Sequence, residues 1–197
     1  MDERKRLYDG LSCAAWGYLF LYLDINLGTV SILPSFAGWL LFLSAIAALK
    51  EERRDLGLLR PLGLLLAAWT AADWGASWLG RDIDGLSPPL DLLVAVAQMY
   101  FQFQFLTDLA ALALTRLPEP DGASLSRRML RWRTVQTVLV TVFALAPYLP
   151  AWIPESAAKG VVVVLAVAYC ILAFFLMAAL FALRGHFKGG APDAPSA

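Results

Sequence analysis

This sequence predicts an all-α fold: a polytopic transmembrane bundle of six helices, N-in/C-in. Three observations predict it. Of 197 residues, 59% are hydrophobic and only 16% charged, against about 45–50% and about 25% in soluble domains. Six stretches approach the ~20 apolar residues needed to cross ~30 Å of hydrocarbon. The basic residues alternate between the connections, with fourteen of the sixteen Lys and Arg in every other segment. The positive-inside rule then puts both termini in the cytoplasm and the chain in the cytoplasmic (inner) membrane.

The expected single domain covers residues 1–184, with spans at about 11–30, 35–49, 61–78, 90–114, 134–154 and 160–183. The fifth and sixth contain no charged residue. The first two are separated by a turn holding Gly28 and Pro34. Merging them would place the N-terminal basic cluster and Lys50–Arg60 on opposite sides of the membrane. Met1–Arg6 followed by Leu11–Leu23 has the outline of a signal peptide, but Asp24–Leu27 is a poor cleavage site, so a retained span is expected. Pro147 and Pro150 should kink or end the fifth helix. Residues 185–197 are small, polar and rich in Gly and Pro, which predicts a disordered cytoplasmic tail.

Composition excludes several chemistries. The one histidine, His186, lies in the polar tail, so a multi-His metal or haem site within the membrane has no ligands. Cys13 and Cys170 form no CxxC pair. No catalytic residue, metal site or cofactor is expected, and zero net charge gives no basic field for nucleic acid. The longest loop ends in Arg127, Arg128, Arg131 and Arg133 around Trp132. Such a segment either anchors on anionic lipid headgroups or docks a partner subunit.

The polar residues within the spans carry the functional signal. Asp24, Asp73, Asp91 and Asp108 fall inside or at the rim of spans, and no Lys or Arg does. A mid-membrane carboxylate costs about 2.5–3.5 kcal/mol on translocon scales and marks function by default. On the fourth span, Asp91, Gln98 and Gln102 fall within about 40° of one another at 100° per residue. Tyr100, Gln104 and Asp108 make a second row, so this helix is expected at the bundle's centre. Asp24 and Asn26 would point to opposite sides of a regular helix, and only an unwound turn aims them together. Thr134, Thr137 and Thr141 form a row on the fifth span. Ala68, Ala72 and Ala76 repeat every fourth residue, a spacing that permits close helix contact.

The segment Asp24-Ile25-Asn26-Leu27-Gly28 with Leu33-Pro34-Ser35-Phe36-Ala37-Gly38 resembles a DINLG…LPxFxG hairpin of small, uncharacterised multi-pass membrane proteins of bacteria. The resemblance covers about the first third of the chain and implies no activity. In architecture alone, six spans in about 200 residues are similar to the substrate-binding subunits of energy-coupling-factor vitamin transporters.

The expected function is to bind or translocate a small cationic or neutral solute. The expected site is a pocket in the outer half of the membrane lined by Asp24, Asn26, Asp73, Asp91, Gln98 and Gln102. An acid excess without internal base favours a cation, an amine or a proton. The alternative is a non-catalytic accessory or scaffold subunit whose partner docks on Arg127–Arg133. A lipid-modifying enzyme using paired carboxylates is a third reading, and it lacks a phosphate clamp within the spans.

Overall fold

The computed structural model describes residues 3–22, 26–27, 30–31, 34–79, 87–145 and 155–188. In order they form α1 (Glu3–Tyr22), β1 (Asn26–Leu27), β2 (Val30–Ser31), α2 (Ser35–Leu49), α3 (Arg54–Leu58), α4 (Arg60–Trp78), α5 (Pro88–Arg116), α6 (Asp121–Leu145) and α7 (Glu155–Gly185). The fold is all-helical apart from one two-residue ladder.

Local chemistry explains most of the boundaries. α2 starts behind Pro34, whose carbonyl accepts the Ala37 N–H at 2.9 Å. α5 opens on Pro88-Pro89, at first-turn positions where a helix needs no N–H donor. The Ser87 carbonyl accepts the N–H groups of Leu90 and Asp91 at 2.8 and 3.0 Å. α5 stops at Arg116 because Leu117 is extended (ψ 146°) and Pro118 follows it.

Three expected boundaries move. α1 begins at Glu3 and ends at Tyr22, earlier at both ends than the expected 11–30. Beyond it the chain forms an antiparallel hairpin, Asn26 opposite Ser31 and Leu27 opposite Val30, so the turn starts well before Val30. α6 begins at Asp121, and the basic segment is therefore helical and continuous with the fifth stretch. The segment from 185 onward is not loose at its start: Phe187 is buried, and its N–H bonds to the Arg184 carbonyl at 3.0 Å. Pro147, Pro150 and residues 189–197 lie outside the described residues.

Six long helices close into a ring. α2 packs between α1 and α4, α7 between α1 and α6, and α5 beside α6. The ring closes through a loose seam between α4 and α5, and α3 caps the turn from α2 to α4 while touching α5. α5 is thus a ring member with one exposed face rather than a central helix. Leu93, Val96 and Tyr100 point outward, and Phe101, Phe105 and Leu109 point inward.

Packing is concentrated toward one end. Leu7–Tyr18 of α1, Trp39–Leu49 of α2, Phe101–Ala113 of α5 and Leu172–Leu183 of α7 supply most of the buried core. Phe42 is its hub, with ring centroids 5.0 Å from Tyr18, 5.1 Å from Phe105 and 5.6 Å from Phe101. Each such pair adds about 0.5–1.5 kcal/mol beyond area burial. The same end carries an ionic clasp in which Arg6 pairs with Glu51 and Glu52, and Arg116 pairs with Glu52 and Glu3. The hairpin end is more open, and Val161–Val164 and Val167 of α7 are exposed there.

Among the described residues, one helix, Gly160–Gly185, is long and apolar enough to cross a membrane. α2 is apolar but has only 15 residues. Basic residues in α6, glutamines in α5 and charged first turns in α1 dilute the other helices.

Glycine lets α1 and α2 approach backbone to backbone. A Cβ on Gly38 would lie 3.0 Å from the Gly17 carbonyl oxygen, and one on Gly17 would lie 3.1 Å from that of Gly38. The expected alanine series does not serve this role, because Ala68 and Ala72 face outward. Gly38→Val should therefore destabilise the fold by about 1–3 kcal/mol, the usual range for overpacking. Gly75, with nothing within 4 Å of a built Cβ, should accept Ala with a gain of up to about 1 kcal/mol from helix propensity. Unfolding of the purified variants checks both signs.

Candidate functional site

The loose seam between α4 and α5 opens into a cleft of about 420 Å³. Asp73, Trp69 and Thr70 line it from α4, and Asp91, Val94, Ala95 and Gln98 from α5. Leu21 of α1 and Ser35 and Trp39 of α2 complete the lining. Asp73, Asp91 and Gln98, chosen from sequence for one pocket, thus share one wall-to-wall space. Among the described residues no Lys or Arg lines the cleft. Thr70 Oγ1 donates to the Leu66 carbonyl at 2.9 Å, which holds the hydroxyl against its own helix. The indole N–H of the fully buried Trp39 has no acceptor among the described residues.

Two members of the expected pocket are not described at the cleft. Asp24 lies outside the described residues. Asn26 is described only as backbone, in β1 opposite Ser31. The hairpin does lie beside α4, through β2, which puts it at the same end of the ring as Asp73.

Gln102 separates from Gln98 despite their shared face. One turn deeper, α5 meets α6, and Gln102 Oε1 accepts from Gln136 Nε2. The same Gln136 amide donates to the Tyr22 hydroxyl, which also bonds that of Tyr169 on α7. Gln102 and Gln136 are both buried. This network ties α1, α5, α6 and α7 together, and it is structural glue rather than part of the cleft. Sequence reasoning missed Gln136, though an amide between Thr134 and Thr137 in an apolar span was a signal. Those threonines bond to their own helix, Thr134 to the Leu130 carbonyl and Thr137 to that of Arg133. Thr141 also donates to Met99 Sδ at 3.4 Å.

The second row on α5 does not act as a unit. Tyr100 is 57% exposed, Gln104 half-buried and Asp108 2% exposed. Each step of four residues rotates the position by about 40°, so the row starts outward and ends inward. Gln104 Nε2 donates to both Asp108 oxygens at 3.3 Å. Arg116 belongs to the clasp around Glu52, and among the described residues Arg53 is a cation within electrostatic reach of Asp108.

The basic segment also divides. Arg127, Arg128 and Arg131 are exposed on α6. Arg133 turns onto α5, donates to Thr107 Oγ1 at 2.7 Å and lies 4.0 Å over the Phe103 ring. Burial there lowers the pKa of its guanidinium from the ordinary value by disfavouring the charged form. It pins two helices and is no longer free to dock headgroups.

If the buried network is one unit, Gln136→Leu alone should cost about 1–3 kcal/mol, because it leaves the Gln102 carbonyl buried without its donor. The Gln102→Leu, Gln136→Leu double variant should recover part of that loss. Thermal unfolding of the four proteins gives the cycle, and strictly additive losses would break the link. No family model, curated protein or solved structure matches the chain, so its function must be argued from this geometry.

Proposed function

We propose that the protein is a multi-pass membrane protein that binds or translocates a small cationic or neutral solute through the cleft between α4 and α5. The observation that carries this reading is the convergence of Asp73, Asp91 and Gln98 on one space of about 420 Å³. Small-molecule sites typically occupy about 300–1,000 Å³ and hold a few placed polar groups on an apolar wall. Among the described lining residues the charged groups are both carboxylates, which favours a cationic or neutral solute over an anion.

Several features support membrane residence. Large apolar side chains are exposed on most of the long helices, including Leu64 and Leu65 on α4, Val138 on α6 and Phe174 on α7. Soluble monomers rarely expose contiguous apolar patches above a few hundred Å². The basic residues cluster at the clasp end, as the positive-inside rule requires if that end and both termini face the cytoplasm. In that orientation the hairpin and the cleft belong to the outer half. Arg127, Arg128 and Arg131 then lie on the cytoplasmic side, where exposure suits them to anionic headgroups or to an accessory partner.

A thiol-labelling experiment tests cleft and orientation together. In a Cys13→Ala, Cys170→Ala background, Thr70→Cys should react from outside the cell with an impermeant cationic methanethiosulfonate. That reaction should exceed the one with the anionic sulfonate analogue at least tenfold, after correction for free-thiol rates. The preference should collapse when Asp73→Asn and Asp91→Asn are added. Arg54→Cys should react only after permeabilisation. Equal rates with both reagents would remove the acidic cleft, and external labelling of Arg54→Cys would overturn the orientation.

A further inference from the structure

We infer that the first turns of α6 hold the headgroup of an anionic phospholipid, most favourably one that carries two phosphates; this rests on the membrane residence proposed above. The exposed face of α6 changes character along its length. Arg127, Arg128 and Arg131 occupy it first, and Thr134, Val135, Val138 and Val142 continue it. At 100° and 1.5 Å per residue, the three arginines fall within a sector of about 100° and about 6 Å of helix axis.

These guanidiniums are not spent on the fold. Arg6 and Arg116 are held by carboxylates, and Arg133 by Thr107 and Phe103. Arg128 and Arg131 have no such partner among the described residues. Arg127 donates through Nε to the Ala123 carbonyl at 3.2 Å, and its two terminal nitrogens have no partner among the described residues. From Gly122 to Leu145 the helix contains no acid, and Asp121 lies about 10 Å along the axis from Arg128. Arginine stays charged at any physiological pH, so three on one surface call for anions. A guanidinium takes phosphate oxygens in pairs. A single phosphodiester brings one negative charge to three positive ones, and a headgroup with two phosphates brings two.

The order of chemistry along the face selects a lipid over a soluble acidic protein. Past Arg131 the exposed surface turns from cationic to apolar within about one turn. A phospholipid presents phosphate and then acyl chain in the same order, whereas a soluble partner would meet valines within the same footprint. The side facing α7 offers a seat for the chains. Trp132, one turn beyond Arg128, stacks on Phe175 with ring centroids 4.7 Å apart. Phe174 and Phe175 are themselves exposed. A tryptophan between arginines and apolar surface marks the level at which headgroups meet hydrocarbon.

Native mass spectrometry of the full chain in a neutral detergent tests this. Cardiolipin is the two-phosphate probe, with phosphatidylglycerol, phosphatidylcholine and inorganic pyrophosphate as comparators. Cardiolipin should be retained at least fivefold better than phosphatidylglycerol supplied at equal phosphate, and phosphatidylcholine should not be retained. Arg128→Gln with Arg131→Gln should cut cardiolipin retention at least fivefold. The lipid-free unfolding temperature should stay near that of the parent, since both side chains are exposed. Arg54→Gln removes an exposed cation from α3 and should leave retention unchanged. Equal loss in that control, or equal retention of the two anionic lipids at matched phosphate, would overturn the inference in favour of diffuse surface charge. Pyrophosphate bound as tightly as cardiolipin would overturn it in favour of a soluble phosphate ligand. A stoichiometric co-purifying protein in place of lipid, lost from the double variant, would overturn it in favour of a docked subunit. Alkaline carbonate washing of membranes separates these failures from failure of the underlying reading. Release of the chain would overturn membrane residence, whereas a retained chain without cardiolipin preference overturns only the headgroup site.

Discussion

The contact on which the rest of this structure depends is the backbone approach of Gly17 and Gly38. With no Cβ on either residue, α1 and α2 meet almost carbonyl to backbone. That spacing lets Tyr18 and Phe42 reach each other edge to face at 5.0 Å. Phe42 in turn organises Phe101 and Phe105 of α5. The same approach brings Leu21 against Gly38, and Leu21 with Trp39 forms part of the cleft lining. Core and cleft therefore share one determinant, and a side chain at either glycine would move both.

Below that contact the ring is filled, and above it the ring is open. α5 serves both levels because its inner face changes character along its length. Its first half presents Asp91, Val94, Ala95 and Gln98 to the cleft, and its second half presents Phe101, Phe105, Leu106 and Leu109 to the core. Gln102 lies at the boundary, where Gln136 and Tyr22 satisfy it. A buried amide without partners would cost about 1–3 kcal/mol, so this network seals the packed level beneath the polar one. The α4–α5 seam is the loosest in the ring, and neither Trp69 nor Val94 closes the gap.

The all-helical class and the rough positions of the long helices were legible because apolar runs are local properties of the chain. The pairing of Asp73 with Asp91 was also within reach, since both fall at similar depth once the loops are assigned sides. What remained hidden was pairing across the ring. Nothing in the sequence says that Gln98 and Gln102, one turn apart, will meet different helices, or that Arg133 will leave its three neighbours for Phe103. The glycine contact was overlooked for a physical reason. Gly17 and Gly38 lie on different helices, so no small-residue repeat within one helix announces them, whereas the conspicuous Ala68–Ala72 spacing faces outward. Trp39 and Trp69 carry no polar signature and look like ordinary core residues until a cleft is seen beside them.

The carboxylates at the two levels are handled in opposite ways. Glu52, whose side chain is 4% exposed, is held between Arg6 and Arg116. With two arginines on it, loss of either one still leaves this buried carboxylate a partner. Asp108, also buried, takes both of its oxygens to the Gln104 amide. Asp73 has no ion pair or hydrogen bond among the described residues, and with Asp91 it borders a space open enough for water. Among the described residues Asp73 is thus left to water and to whatever else enters the cleft, whereas Glu52 and Asp108 have fixed partners.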